Sequence, residues 1–422
     1  MDDKKLTRIT QPELDAILQK HESYLVGRVG GVKANLAYHD LSNMSLAKKN
    51  LSDADFTGAS LVEADLRGAK LDRAILFCTD MRKANLHGAS LIRADLRGAA
   101  LRGANLVGTN MSGVDLREGA LANASSGGEL KAAHKDLTVA DKGGANLSGA
   151  NLSDSKLAGA VAVGSNFSDA TLKSTKFNTA SLKGANFSGA NLEGADLSDC
   201  DLEGINLRDA VLTNTAINLS EVAAENKVGA LTHESVGLSI KDLPAPIEEL
   251  LKLHATWLDS NGQQGKPFDI SKYDLRNGPR FNRARLTMMR GASATLYGLN
   301  FSEAQMQAAD LHDADLRHAN FQSADMRGIM LNGARLNNAN LQGVDLRPLM
   351  LAQGRALSAN LSGAALRYVN FSGANLQKAN FRKADLSDAD LRDADITGAD
   401  FTDANLEGAQ LDDKQKALLK KP

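Results

Sequence analysis

Aromatic side chains make up only 4% of this 422-residue chain, and tryptophan occurs once. Ordinary globular cores fill space with large rings. Here the hydrophobic fraction is 43%, drawn mostly from Leu and Ala, so a core has to come from closely spaced backbone. Cysteine is scarce as well. Cys78 and Cys200 stand far apart, which excludes a disulfide framework or thiolate metal cluster and suits a reducing compartment. No window approaches the ~18 consecutive apolar residues of a membrane span. Met1–Leu6 leads into no apolar signal-peptide run. The expected location is the cytoplasm, away from any membrane. A formal net charge of −2 leaves no global field to draw in nucleic acid, so no direct nucleic-acid binding is expected. Chemistry-bearing motifs are missing too: no phosphate-binding loop, dinucleotide fingerprint, nucleophile elbow or paired-His motif. No catalysis, cofactor or metal is expected.

What is present is a repeat. From Leu36 to Leu121 a Leu, Phe or Met stands at every fifth residue, 18 positions without exception. From Leu147 to Ile217 there are 15, ending on Ile and departing from a large apolar residue only at Ala162. From Phe281 to Leu411 there are 27, with Ile at 396 and departures from a large apolar residue only at Gly291 and Ala356. Residues two apart on extended chain face the same side, so Ala64 and Leu66 point inward together. Leu71, an odd step further, points inward only if the chain turns a corner within each unit. The intervening Gly, Asn and Asp are turn residues. Repeated corners of one hand wind a solenoid with Leu in its bore.

These units, such as Ala64-Asp65-Leu66-Arg67-Gly68, resemble the pentapeptide-repeat family, whose consensus is small residue, Asp/Asn, Leu/Phe, polar residue, Gly. The resemblance covers 60 units, or 300 of 422 residues. It implies four units per coil and an all-β solenoid, a right-handed quadrilateral parallel β-helix, here in two segments with short capping α-helices. Residues 20 apart then stack. Phe281, Phe301, Phe321, Leu341, Leu361, Phe381 and Phe401 are expected in one column, and Arg327, Arg347 and Arg367 in another beside Asp325 and Asp345. The family shares architecture rather than chemistry.

The layout is duplicated. Leu14, Ile17, Leu18, His21, Tyr24 and Leu25 recur at identical offsets as Ile247, Leu250, Leu251, His254, Trp257 and Leu258, the spacing of one helix face. Expected boundaries are a cap helix in 1–30, a β-helix over 31–217 with an irregular coil at 122–146, and a linker at 218–245. A second cap helix in 246–265, a β-helix over 266–411 and a C-terminal cap at 412–422 follow. The irregular coil contains Ser125-Ser126-Gly127-Gly128 as a loop, with Leu137 already in the new register.

Candidate sites are few. His21, Tyr24 and Leu25, with His254, Trp257 and Leu258, read as structural cap residues over the first coil of each array. Cys200 takes a small inward slot and Cys78 a corner, neither beside a base. Charge is uneven. Between Arg67 and Arg102 eight basic residues face three Asp. The last coils carry Asp385, Asp388, Asp390, Asp393, Asp395, Asp400, Asp403 and Glu407 against Arg392 alone, a possible acidic binding end. The reading that follows is a non-enzymatic interaction scaffold with a protein partner. The alternatives are a topoisomerase-binding DNA mimic or immunity protein, because some pentapeptide proteins resemble B-DNA and bind gyrase in its place, and a secreted effector.

Overall fold

The computed structural model describes residues 6–107, 109–117, 119, 122–124, 130–132, 144–276 and 278–419. They form two compact units, Met1–Glu234 and Ser235–Pro422.

One unit of five shows how the coil is made. Ala64, Leu66, Ala69 and Leu71 are all fully buried. Between the first two, Asp65 bridges Ser45 on one side and Asn85 on the other, both in parallel. Leu66 N–H donates to Asn85 O at 2.8 Å, and Asp65 N–H to Met44 O at 2.9 Å. The chain then turns: Ala69 N–H returns to Leu66 O at 3.0 Å while Gly68 takes a φ of 62°. Glycine suits that corner by conformation, since a positive φ costs it nothing, although Lys48 and Asp53 take the same turn with side chains. The Asp or Asn before each central residue, expected at a corner, stands instead mid-face. Its carboxylate or amide oxygen reaches two residues on, as Asp65 accepts from Arg67 N–H at 3.1 Å, and so holds the entry to the corner. Bridges twenty residues apart recur along both units, so four units close one coil and the bore is four-sided.

Among the described residues the bridges depart from the twenty-residue step at three points. In the first unit Ala100 bridges Asn146, and Thr109 meets Ser155 46 residues on, so the coil closes across an excursion. That excursion contains an antiparallel pair. Leu121, Leu137 and Ser125–Gly128 lie outside the described residues. In the second unit one extra residue enters the first coil, where Asp274 bridges Thr295. Later, Met330 bridges Asn360 and Asn340 contacts Asn370, 30 residues on. Here the chain leaves the coil after Leu346, forms a hairpin of Leu349–Met350 with Ala356–Leu357, and returns at Ala359.

The hairpin corrects two expected columns. Phe281, Phe301 and Phe321 do stack, with centroids 5.3 and 5.1 Å apart and planes within 7°. Leu341, however, donates its N–H to Asn370 O, so the column continues through Phe371. Leu361 belongs instead with Leu331 and Phe381. Arg367 likewise donates to the Asn337 side chain at 3.1 Å and does not sit above Arg347. Leu351 and Ala356, counted as repeat positions, are exposed. Ten extra residues are two whole units, so they preserve the five-residue phase while advancing every later residue by two faces.

Residues 218–245, expected as a linker, are divided between the units. Short 3-10 turns at Leu219–Glu221 and Ala224–Lys227 replace pentapeptide units, yet Val222 is in the core and Leu231 still bridges Val211. In the second unit a strand at Leu238–Ser239 pairs in parallel with Tyr273–Asp274, just as Thr7–Arg8 pairs with His39–Asp40 in the first. Both strands satisfy backbone groups at the open end of a ladder. Each precedes a helix, α1 (Gln11–Leu25) or α2 (Ile247–Asp259). A third helix, α3 (Asp413–Leu419), buries Gln415, whose amide donates to the carbonyls of Leu391 and Ala394 in the last coils. No described helix is long and apolar enough to cross a membrane.

Candidate functional site: helix–coil junctions and charged faces

The two histidines occupy equivalent places. His21 and His254 are both fully buried, on α1 and α2. His21 Nδ1 accepts from Ala34 N–H at 3.1 Å, and His254 Nδ1 accepts from Phe268 N–H at 3.0 Å. Each ring is therefore neutral with its proton on Nε2. That nitrogen faces the backbone of Ser52 or Thr287 without a hydrogen bond of ordinary geometry. Tyr24 lies over His21 at 5.9 Å and 17°, and Trp257 over His254 at 5.8 Å and 15°. Both aromatic rings are outside the core: Tyr24 is 43% exposed and Trp257 is half-buried. Leu25 and Leu258 are also only half-buried, and the core side of α1 is made by Leu14 and Leu18 instead. After each helix the chain crosses its own backbone so closely that only glycine fits. A Cβ on Gly31 would lie 2.3 Å from Tyr24 N, and one on Gly265 2.2 Å from Leu253 O.

Burial pushes both imidazoles below their ordinary value of 6.5. Asp53 and Glu22 oppose that shift at His21, whereas Lys33 reinforces it; at His254 Arg285 reinforces it. The unfolded chain gains these protons first, so the stability held by the neutral rings is present above pH 6.5 and lost as pH falls from there toward the depressed native values. Urea unfolding of His254→Gln should show a flatter acid slope than the native chain, with its own transition weakened at neutral pH. An unchanged slope would rule His254 out as the titrating group.

The charged stretches are largely closed on themselves. In the basic stretch Arg67 pairs with Asp65 at 2.6 Å, Arg73 with Asp53 at 2.7 Å and Arg97 with Asp95 at 2.7 Å. At the acidic end Asp385, Asp390, Asp395 and Asp400 are mid-face residues that accept from the backbone two residues on. Asp390 also holds Arg392 at 2.6 Å, and Asp400 holds Arg382 at 3.2 Å. Asp388, Asp393 and Asp403 occupy left-handed corners, and Glu407 N–H is held by Asn405. Cys200 donates to Phe177 O, and burial pushes its thiol up to about 11. Among the described residues no three His, Cys, Asp or Glu side chains converge on a possible metal position.

Sequence reasoning missed a buried ion pair. Arg317 is 1% exposed and grips Asp315 through two nitrogens, at 2.8 and 2.6 Å, while lying over the Tyr297 ring at 5.7 Å. Burial alone would raise the Asp315 carboxyl, but Arg317 outweighs it and the group stays below its ordinary 3.8. A second pair, Asp274 and Arg276, is nearly as buried, with Val236 N–H on the same carboxylate. In sequence these are ordinary Asp-Leu-Arg units; nothing local marks them.

The pentapeptide repeats family profile matches in 8 copies, among them residues 34–73, 50–88, 79–117, 309–347, 358–393 and 379–413. A pentapeptide repeat region profile matches 143–223. The profile breaks where the hairpin leaves the coil, between 347 and 358. No curated protein matches. Similar solved structures include QnrB1 (M102R, trypsin-treated), a plasmid-mediated fluoroquinolone resistance protein, at 16% identity over 48% of this chain and 92% of that one, TM-score 0.29. HetL, involved in heterocyst differentiation regulation in Nostoc sp. strain PCC 7120, is 22% identical over 93% of this chain and 95% of that one, TM-score 0.15. Rfr23 of Cyanothece 51142 is 27% identical over 28% of this chain and 84% of that one, TM-score 0.15. With its five-residue unit, four-sided coil and repeated profile matches, this chain is a member of the pentapeptide-repeat family, folded as right-handed quadrilateral β-helices.

Proposed function

We propose that this protein is a non-enzymatic interaction scaffold that presents rigid outer faces to a protein partner in the cytoplasm, with no cofactor and no direct role for nucleic acid. The observation that carries this reading is how each coil uses its polar groups. Mid-face Asp and Asn side chains close onto backbone or onto the next coil, as in the amide ladder from Asn206 through Asn186 and Asn166 to Asn146. The surface is thereby fixed before any partner arrives, which removes much of the ordering cost of association. Cys78 and Cys200 form no disulfide, which suits a reducing location.

The acidic end favours a second reading, a gyrase-binding DNA mimic or immunity protein, because Asp385, Asp390, Asp395 and Asp400 occupy successive faces of one coil. Arginine neighbours on Asp390 and Asp400 reduce that field, and this weighs toward the general scaffold. Affinity capture with chemical cross-linking is expected to yield a partner at fixed stoichiometry, cross-linked through outer-face lysines. Turnover of a small molecule abolished by one substitution would overturn the scaffold reading. Inhibition of gyrase supercoiling, lost on replacing the four Asp by Asn, would move the conclusion to the second.

A further inference from the structure

We propose that the hairpin between Leu346 and Ala359 is the scaffold's docking element, and that its partner is a protein segment of apolar side chains bracketed by carboxylates. The inference deepens the scaffold reading and rests on it.

The hairpin adds nothing to the ladder. Met330 bridges Asn360 directly, so the coil closes without the ten residues between Arg347 and Ser358. It is nonetheless ordered. Leu349 pairs with Leu357, Met350 with Ala356, and Leu351 N–H donates to Arg355 O at 2.8 Å. Gln353 and Gly354 make the tip with φ of 63° and 73°. Its base rests against Gly328, where an added Cβ would lie 3.0 Å from Leu349 and 3.1 Å from Leu357.

An ordered hairpin with no structural task should hide its apolar side chains, and this one does the opposite. Met350 is 67% exposed, Leu351 41% and Leu357 36%. Exposed apolar residues gathered on one projection mark interaction sites. An adaptable Met beside Leu is the composition of surfaces that receive another protein's side chains.

Charge selects the partner. The hairpin itself, residues 348–357, carries no Asp or Glu and one cation, Arg355, whereas in the later coils Arg367 lies 3.9 Å from Asp385 and Arg382 3.2 Å from Asp400. Arg347 is neutralised by Asp345 at 2.8 Å, whereas Arg355, on the hairpin itself, has no ion pair among the described residues. The element thus offers apolar contact with positive charge only. Carboxylates flanking apolar anchors complement both features, and a basic segment is repelled.

The coil arithmetic supplies the test. Deleting residues 348–357 joins Arg347 to Ser358 and restores a regular unit, Leu346-Arg347-Ser358-Ala359-Asn360, ahead of Leu361. The full-length chain would be used to select from a random peptide display library. The enriched peptides would then be measured against that chain, the deletion variant, Met350→Ser and Arg355→Glu. Enriched peptides should combine Leu, Phe or Trp with Asp or Glu, and each point variant should weaken them roughly tenfold, the loss of one anchoring side chain. Peptides without carboxylates, or peptides that bind the deletion variant as well as the intact chain, would overturn the proposal. So would displacement of the peptides by phosphatidylserine vesicles or duplex DNA through Arg355. If the deletion variant fails to fold, the two point variants, both on exposed side chains, decide alone. A cellular partner still captured by the folded deletion variant would sink the hairpin assignment while leaving the scaffold reading standing. No partner captured by the intact chain would sink the scaffold reading itself.

Discussion

Phe301→Ala should destabilise the second unit by about 3–5 kcal/mol and leave the first untouched. Phe301 is fully buried, with Phe281 stacked on one side and Phe321 on the other. Truncation removes both ring contacts and leaves a void that the neighbours cannot close. Their spacing is set by backbone bonds such as Phe301 N–H to Asn320 O at 2.7 Å, not by the rings. Phe301→Leu should cost far less, because Leu341 already continues the same column. Each coil contacts only its neighbours, so the damage stays local. Hydrogen exchange would show protection lost around residues 281–321 and retained in the coils near Leu66. Equal losses in both units, or a cost below about 1 kcal/mol, would mean the column is not a stacked core.

What could be read from residues alone follows from what is periodic. Parity at five residues required a corner per unit, and the corners are there, with left-handed residues at Gly68, Asp53 and their equivalents. The duplicated helix pattern located His21 and His254, because both lie on an apolar stripe. Periodicity also concealed things. The hairpin's ten residues keep the phase, so Leu351 reads as a bore residue although it is exposed. The end of the first array failed in the opposite sense. Val222 and Leu231 stay with the coil although 3-10 turns erase the period around them. Tyr24 and Trp257 share the helical stripe with the histidines but cover them from outside, a difference of depth that spacing does not encode. The acidic end was visible as composition, and the Asp390–Arg392 pair lies within one unit, but the approach of Arg382 to Asp400, 18 residues on, depends on which residues the coil stacks.

The buried pair sets the second large effect: Asp315→Asn should cost the second unit about 3–5 kcal/mol, the penalty for stranding a buried charge. The substitution keeps the shape of the side chain and removes only its charge. Arg317, 1% exposed, would then lose the carboxylate that holds it through two hydrogen bonds. Arg335, the next residue in the column, also acts on Asp315, so the loss leaves two cations without their shared anion. Replacing both partners, as Asp315→Leu with Arg317→Met, should recover most of the stability or exceed it, because a buried pair offsets its own desolvation only in part. Acid should reproduce the single substitution. The carboxyl lies below 3.8 in the fold, so its contribution is present above that pH and disappears as pH falls toward the native value. Urea unfolding of both variants, followed from pH 3 to pH 7, separates the terms. If Asp315→Asn is mild while Arg317→Met alone is severe, the guanidinium's contact with the Tyr297 ring, and not the ion pair, holds this face together.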